Sequence, residues 1–511
     1  MLEKATLKKN SFEISVPRNI STKLLLSVLL GLAFLVRLDD LTNPPLDFHP
    51  TRQLRSFIIA RGMYYQTLEN APNWQRQYAE AVGHAQGVIE PPILEYVTAL
   101  AYRIWGGEIM WIPRILSSLL WLAGALPLYE LGKDLVSPAG GLTATVFYLF
   151  LPYGVIASRS FQPDPWMVSL IISAFWCLAR WRKKSSWGWA LAFGLFAGLS
   201  IFIKLIAVFF IAGAYAGILI EKGVRQSMRD RQVWVMSLVA ILPGAVYTFY
   251  GTFVAGFLHG QFQGRFYPEM LIDPFYYFRW EQKAAQVTGH IPILLGILGL
   301  LLLSGSRRAL VAGAWGGYII FGLFFPHHFA SHDYYHLPLV PIVAISIAPL
   351  VDTAWKAMIE ATRNSKWTRI GIVLVLFSGV FLTGWDTHLA LHTTNYRDQP
   401  GFWTSMGDLL RHSQSVIALS EDYGYRLAYW GWINPRVWPS YGDLVDIHKA
   451  DVSEEEFKKL FNSYTTGMDY FLITRFEELP YQPRLENHLW SDCELQDQGP
   501  GYAVFHLPCG F

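Results

Sequence analysis

The chain of 511 residues is 52% hydrophobic, 15% aromatic and only 16% charged, with a mean hydropathy of +0.26, which excludes an ordinary soluble enzyme and implies a membrane as solvent. A formal net charge of +2 excludes an overall electrostatic pull toward nucleic acid. Three cysteines are too few for a disulfide scaffold: Cys177 lies in an apolar run, while Cys493 and Cys509 could form one bridge in the tail on an oxidising side.

A basic N-terminus (Lys4, Lys8, Lys9, Arg18) precedes the first apolar run, which ends in Arg37-Leu38-Asp39-Asp40 without a small-residue cleavage site. That pattern predicts an uncleaved first span rather than a signal peptide. A hydrocarbon layer about 30 Å thick needs roughly 20 apolar residues per helix. Such runs recur near 22–38, 112–132, 139–158, 165–181, 187–203, 205–221, 233–253, 291–304, 309–325, 335–351 and 370–388. Basic clusters at the N-terminus, 180–184, 222–231, 307–308 and 356–369 mark one cytoplasmic face. Parity closes if 91–105, which follows Pro91-Pro92, lies as a helix in the outer interface instead of crossing.

The non-cytoplasmic face then holds the loop 39–107, the turn near Asp164, the loops 255–290 and 326–334, and everything after about 389. The tail alternates polar helical segments (402–412, 453–461) with short strand-like runs (416–420, 470–474, 503–507), and reads as a small α/β domain. The expectation is a polytopic α-helical membrane protein of about eleven spans. Its membrane domain covers 1–388, with interfacial helices in the first outer loop, and a C-terminal α/β domain covers 389–511.

Ionisable groups at the edge of spans are costly and mark function. Leu46-Asp47-Phe48-His49-Pro50-Thr51-Arg52 sets a carboxylate, an imidazole and a guanidinium close together, fit for proton chemistry or for a loop ion pair between Asp47 and Arg52. Glu90, before Pro91-Pro92, suits a helix start as well as a ligand contact. Asp164, in Gln162-Pro163-Asp164-Pro165, suits an N-cap or a catalytic carboxylate. Lys204 interrupts two short apolar runs at the tip of a hairpin, as a snorkelling lysine or a phosphate ligand. The loop 327–336 holds four of the fourteen histidines. It invites a zinc reading, but neither a two-histidine helical motif nor paired cysteines support one.

In order and spacing, the Asp-containing first loop, the Glu90-Pro91-Pro92 segment, the Asp164-Pro165 span start, the Lys204 hairpin and the span opening Tyr334-Tyr335-His336-Leu337-Pro338 resemble the GT-C glycosyltransferases. The resemblance is to the branch of protein O-mannosyltransferases, aminoarabinose transferases and RgtA/B/C/D-like enzymes, over residues 20–390. It implies inverting transfer of a sugar from a polyprenyl-phosphate donor to a lipid, glycan or protein acceptor at the outer face of the inner membrane, with no cofactor. Asp47 takes the position of the catalytic base, with Asp164 orienting acceptor or base. The lipid phosphate would meet Arg52, Lys204 and His336, with His49, Glu90 and Tyr335 as further substrate-binding residues. Two departures stand out: Phe48 follows Asp47 where relatives often carry Glu, and Glu90 precedes Pro91-Pro92 where they often carry a cation. A secondary transporter, with mid-bilayer charges and internal repeats, and an assembly protein that binds a partner through its tail are the competing classes.

Overall fold

The computed structural model describes residues 22–87, 89–260, 266–361 and 366–510. The basic N-terminal cluster expected on the cytoplasmic face, and part of the basic segment 356–369, lie outside the described residues.

Helix α1 (Thr22–Leu38) leads into a loop that carries three helices of its own, α2 (Pro50–Tyr65), α3 (Asn73–Ala85) and α4 (Ile93–Trp105). Pro50 stands in the first turn of α2, where its missing N–H has no intrahelical partner to lose. A buried hydrogen bond of 2.7 Å from Ser56 Oγ to Glu95 Oε1 ties α2 to α4.

The next helices follow closely: α5 (Trp111–Leu135), α6 (Pro138–Phe150), α7 (Pro152–Ser158), α8 (Asp164–Lys184), α9 (Trp187–Ile203), α10 (Ala207–Lys222), the short α11 (Val224–Arg229) and α12 (Arg231–Phe249). Helices α6 and α7 bend by 62° at Pro152, which cannot donate to the helical ladder. After a loop come α13 (Pro274–Thr288) and α14 (His290–Leu302), bent by 91° at Gly289, then α15 (Gly305–Phe324), the one-turn α16 (Pro326–Ser331), α17 (Leu339–Ala361) and α18 (Lys366–Leu391).

Trp121, Tyr148, Phe175 and Trp181 are fully buried in the shared apolar core of this bundle. Helices α10 and α15 cross through Gly213 and Gly217 facing Gly313 and Gly317, where an added Cβ would collide with opposing backbone. Small residues that let two backbones meet are the usual device where lipid removes the hydrophobic drive between helices.

Helices therefore stand at each of the eleven apolar runs. Among the described residues, three segments are long and apolar enough to cross a membrane singly, Trp111–Leu135, Arg231–Val254 and Asp333–Met358, and up to five if each bent pair counts as one span. Others are marginal for stated reasons: α9 has 17 residues, and α8 carries Asp164 at one end and Arg180, Arg182, Lys183 and Lys184 at the other.

The tail starts with α19 (Gln399–Leu409) and builds a five-stranded sheet in the order β2-β1-β3-β5-β4. Strand β1 (Val416–Leu419) pairs in parallel with β2 (Arg436–Val437) and β3 (Tyr470–Ile473), and β5 (Tyr502–His506) pairs antiparallel with β3 and with β4 (Glu494–Gly499). Helices α20 (Tyr425–Trp430), α21 (Tyr441–Asp446), α22 (Glu454–Thr465) and α23 (Pro483–Asp492) connect the strands. Ser440 and Ser453 cap α21 and α22 through reciprocal bonds with Asp443 and Glu456. Cys493 and Cys509 are joined by a disulfide.

Candidate active site

The first loop after α1 is held by a buried amide that the sequence reading passed over. Gln53 donates to Phe48 O (2.6 Å) and Pro45 O (3.2 Å), and its Oε1 accepts from Phe161 N (2.9 Å). One side chain thus fastens the Asp47 loop to the turn that leads into Asp164.

His49 caps α2 in the left-handed region (φ 46°). That conformation is uncommon outside glycine but enriched for His. It sets the ring against Asp333, with Nε2 2.5 Å from Oδ1, while Gln286 Nε2 donates to Oδ2 at 3.0 Å. Arg52, one turn into α2, pairs with Glu90 at 3.2 Å and lies 5.4 Å from the Tyr334 ring. Burial opposes the charge on Glu90, but Arg52 and Lys204 outweigh it and hold the carboxyl below its ordinary range. Burial, followed by electrostatic repulsion from the neighbouring His49 and Arg52, pushes His332 down to about 4.

Lys204 stands in extended backbone between α9 and α10. Its Nζ donates to both oxygens of Asp164 at 2.8 Å, and the two side chains are 3% and 2% exposed. Tyr334 and Tyr335 present their rings to Nζ at 4.9 and 5.0 Å. An ammonium has three donors, so two bonds to Asp164 leave one for another acceptor. Lys204, Glu90 and Tyr335 line a cavity of about 470 Å³ whose remaining wall is mostly apolar, including Phe202, Leu205, Phe209 and Phe324. A second, more polar cleft, lined by Arg52, Arg55, Glu95 and Trp166, shares Glu90 and Pro91 with it.

Asp47 is exposed and makes no hydrogen bond or ion pair among the described residues. It lies within electrostatic reach of Arg114 and Arg159. Both guanidiniums are buried: Arg114 donates to Leu41 O (2.6 Å) and Asn43 O (2.7 Å), and Arg159 to Asp40 O (3.2 Å).

Several expectations change. Asp47 and Arg52 are not a loop pair, since Arg52 is engaged by Glu90. Asp164 does not cap α8: it stands in the first turn with both carboxylate oxygens accepting from Lys204 Nζ. Lys204 does not snorkel. His336 does not join the cluster, because it is fully buried with Nδ1 on Tyr318 Oη and Nε2 on Phe329 O, both at 2.8 Å. Its ring serves the core between α15 and α16. Asp333, by contrast, belongs to the site; a carboxylate at the mouth of a span was the signal available for it. Among the described residues, the histidines of 327–336 form no three-ligand group.

The tail closes over one side of this loop. Arg61 lies 4.0 Å from the Tyr429 ring and 4.3 Å from that of Trp432, pairs with Glu108 at 3.0 Å, and Tyr78 Oη donates to Ala428 O at 2.9 Å. Within the aromatic stretch 423–438, Trp438 is core of the sheet domain, while Tyr429 and Trp432 form the seam with α2 and α3.

The dolichyl-phosphate-mannose-protein mannosyltransferase family matches residues 89–250. Lipid A galacturonosyltransferase RgtD of Rhizobium johnstonii is 28% identical over 157 residues, 30% of this chain. The match spans about a third (33%) of that relative's length. Among solved structures, ArnT from Cupriavidus metallidurans bound to undecaprenyl phosphate superposes with a TM-score of 0.55 at 15% identity, over 95% of this chain and 97% of that one. The archaeal oligosaccharyltransferase AglB from Archaeoglobus fulgidus, in complex with an inhibitory peptide and a dolichol-phosphate, does so with a TM-score of 0.54 at 11% identity, over 94% and 74%.

Proposed function

Because the chain carries the GT-C fold of the superfamily that its residue pattern resembles, we propose that it is a membrane glycosyltransferase. It takes a sugar from a polyprenyl-phosphate donor and passes it, with inversion, to an acceptor at the outer face of the inner membrane. The observation that carries this reading is the largely apolar cavity lined by Lys204, Tyr335 and Glu90, with Arg52 paired to Glu90. A polyprenyl chain fills the apolar wall, and its phosphate reaches the buried Lys204 in the same lining, where a charge-assisted hydrogen bond is strong. The ArnT and AglB structures hold lipid phosphates of this chemical class.

In the reaction, an acceptor hydroxyl oxygen forms the new bond to the anomeric carbon as the bond from that carbon to the donor phosphate oxygen breaks. Asp47 takes the hydroxyl proton; its exposed carboxylate, unbonded among the described residues, suits a general base. The electron pair of the broken bond leaves with the lipid phosphate, whose negative charge Lys204 and Arg52 offset. Asp164 keeps Lys204 aimed, so it is a positioning residue and not a second base. His49, aligned by Asp333, flanks the same loop and contributes to acceptor placement.

The topology that goes with this is eleven crossings, with 91–105 on the outer surface and 389–511 outside as a separate domain. Purified protein incubated with a panel of polyprenyl-phosphate sugars and lipid, glycan and peptide acceptors tests the function. Transfer from at least one donor, with inverted anomeric configuration, is expected. Absence of transfer together with absence of lipid-phosphate binding would favour the transporter class.

A further inference from the structure

The outer ends of the first and last membrane-domain helices carry a second constellation that the reaction does not use. Asp39 follows the last residue of α1, His388 lies in the last turn of α18, and His392 is the first residue beyond that helix, its N–H still bonded to His388 O at 3.2 Å, so that the turn brings both imidazoles to one side. Asp39 Oδ2 is 2.7 Å from His388 Nδ1, and Asp39 Oδ1 is 3.0 Å from His392 Nε2. The three ligand atoms all lie within 4.8 Å of one another, and the side chains are 31%, 45% and 42% exposed.

We propose that Asp39, His388 and His392 form a binding site for a divalent transition-metal ion of the zinc class. Two imidazoles with one carboxylate are a donor set that selects Zn²⁺, Co²⁺, Ni²⁺ or Cu²⁺ over Mg²⁺ and Ca²⁺, which favour oxygen ligands. Ligands of one tetrahedral zinc lie about 2.0–2.2 Å from the metal, hence roughly 3–3.6 Å from each other. The observed spacing needs only small rotations of exposed side chains to reach that range. Histidines at i and i+4 of a helix are also the spacing used by helical zinc motifs. The open side faces solvent, where water completes the coordination.

The setting gives such an ion a mechanical role. The segment after α18 is already tied to the loop after α1: Asn43 Nδ2 donates to Thr394 O (3.0 Å), Tyr396 N donates to Asn43 Oδ1 (2.9 Å), and Arg397 pairs with Asp40. A metal on Asp39, His388 and His392 braces the point where the chain leaves the membrane helices for the sheet domain.

The test uses the untagged full chain in detergent, stripped with a chelator and titrated with Zn²⁺ by calorimetry and with Co²⁺ by visible absorption. Wild type should take up one more zinc equivalent, at micromolar or tighter affinity, than His388→Gln/His392→Gln. Its cobalt bands should be lost in that variant, and Asp39→Asn, which removes the anionic ligand, should weaken binding about tenfold or more, at least what loss of an outer-shell partner costs. Zinc should raise the melting temperature of wild type only. Equal stoichiometry in wild type and double variant would overturn the site. In wild type itself, zinc should protect His388 and His392 from carbethoxylation, read by mass spectrometry; unchanged modification would overturn the proposal without recourse to any variant.

Discussion

Asp47 and Asp164 are carboxylates of two neighbouring turns, linked through Gln53, yet their surroundings are opposite. Asp164 is buried, with both oxygens on one ammonium; Asp47 is exposed and has no bonded partner among the described residues. A locked carboxylate holds a cation in place, whereas an open one can accept a proton from a group brought to it. On the proposed function, the contrast divides this end of the bundle into a region that grips and a region that reacts.

The largest expected effect falls on the gripping side. Lys204→Ala strands a buried carboxylate, which costs about 3–5 kcal/mol of stability by the usual measure for a broken buried pair. Asp164→Asn combined with Lys204→Met restores most of that loss, because no unpaired charge remains. Chemical denaturation of the single and double variants in detergent checks both statements. In the restored double variant, polyprenyl-phosphate affinity should still fall by about 1.5–3 kcal/mol, the worth of one charged hydrogen bond. Unchanged affinity would confine Lys204 to a structural role.

Glu90 gives a smaller, pH-dependent effect. Its folded-state carboxyl is held below the ordinary range, so its contribution to stability is complete above that range and is lost as pH falls below it through the lower folded value. Glu90→Gln should therefore lose less melting temperature than wild type between about pH 5 and about pH 3. The smallest perturbation is topological: single cysteines at exposed Gln66 and Gly442 should both react with a membrane-impermeant reagent from the outer side. Cys177 is buried and the other two cysteines are bonded, so background labelling stays low.

The helical frame was legible because an apolar run in lipid satisfies its backbone only as a helix, and helices stand at each such run. Partners were not legible. Arg52 lies five residues from Asp47 but bonds Glu90, 38 positions away, and His49 finds Asp333 at a separation of 284. Pairings of that range depend on how helices pack, which hydropathy along the chain does not encode. His336 stood in a motif with Tyr335, yet adjacent residues of a helical turn point apart: Tyr335 lines the cavity and His336 enters the core. In the tail, β4 escaped notice because Glu-Leu-Gln-Asp-Gln-Gly lacks the apolar alternation that announces a strand.

The division between gripping and reacting is tested most directly by Asp47→Asn, measured on one preparation for both polyprenyl-phosphate binding and sugar transfer. The amide keeps the shape and removes the proton acceptor, so turnover should fall by about a hundredfold or more, within the usual 10²–10⁴ span of general-base catalysis, while lipid-phosphate affinity stays at the wild-type value. A folded Asp47→Asn protein that binds donor and transfers sugar at near wild-type rate would contradict the assignment and move the base elsewhere, with His49 the next group to test.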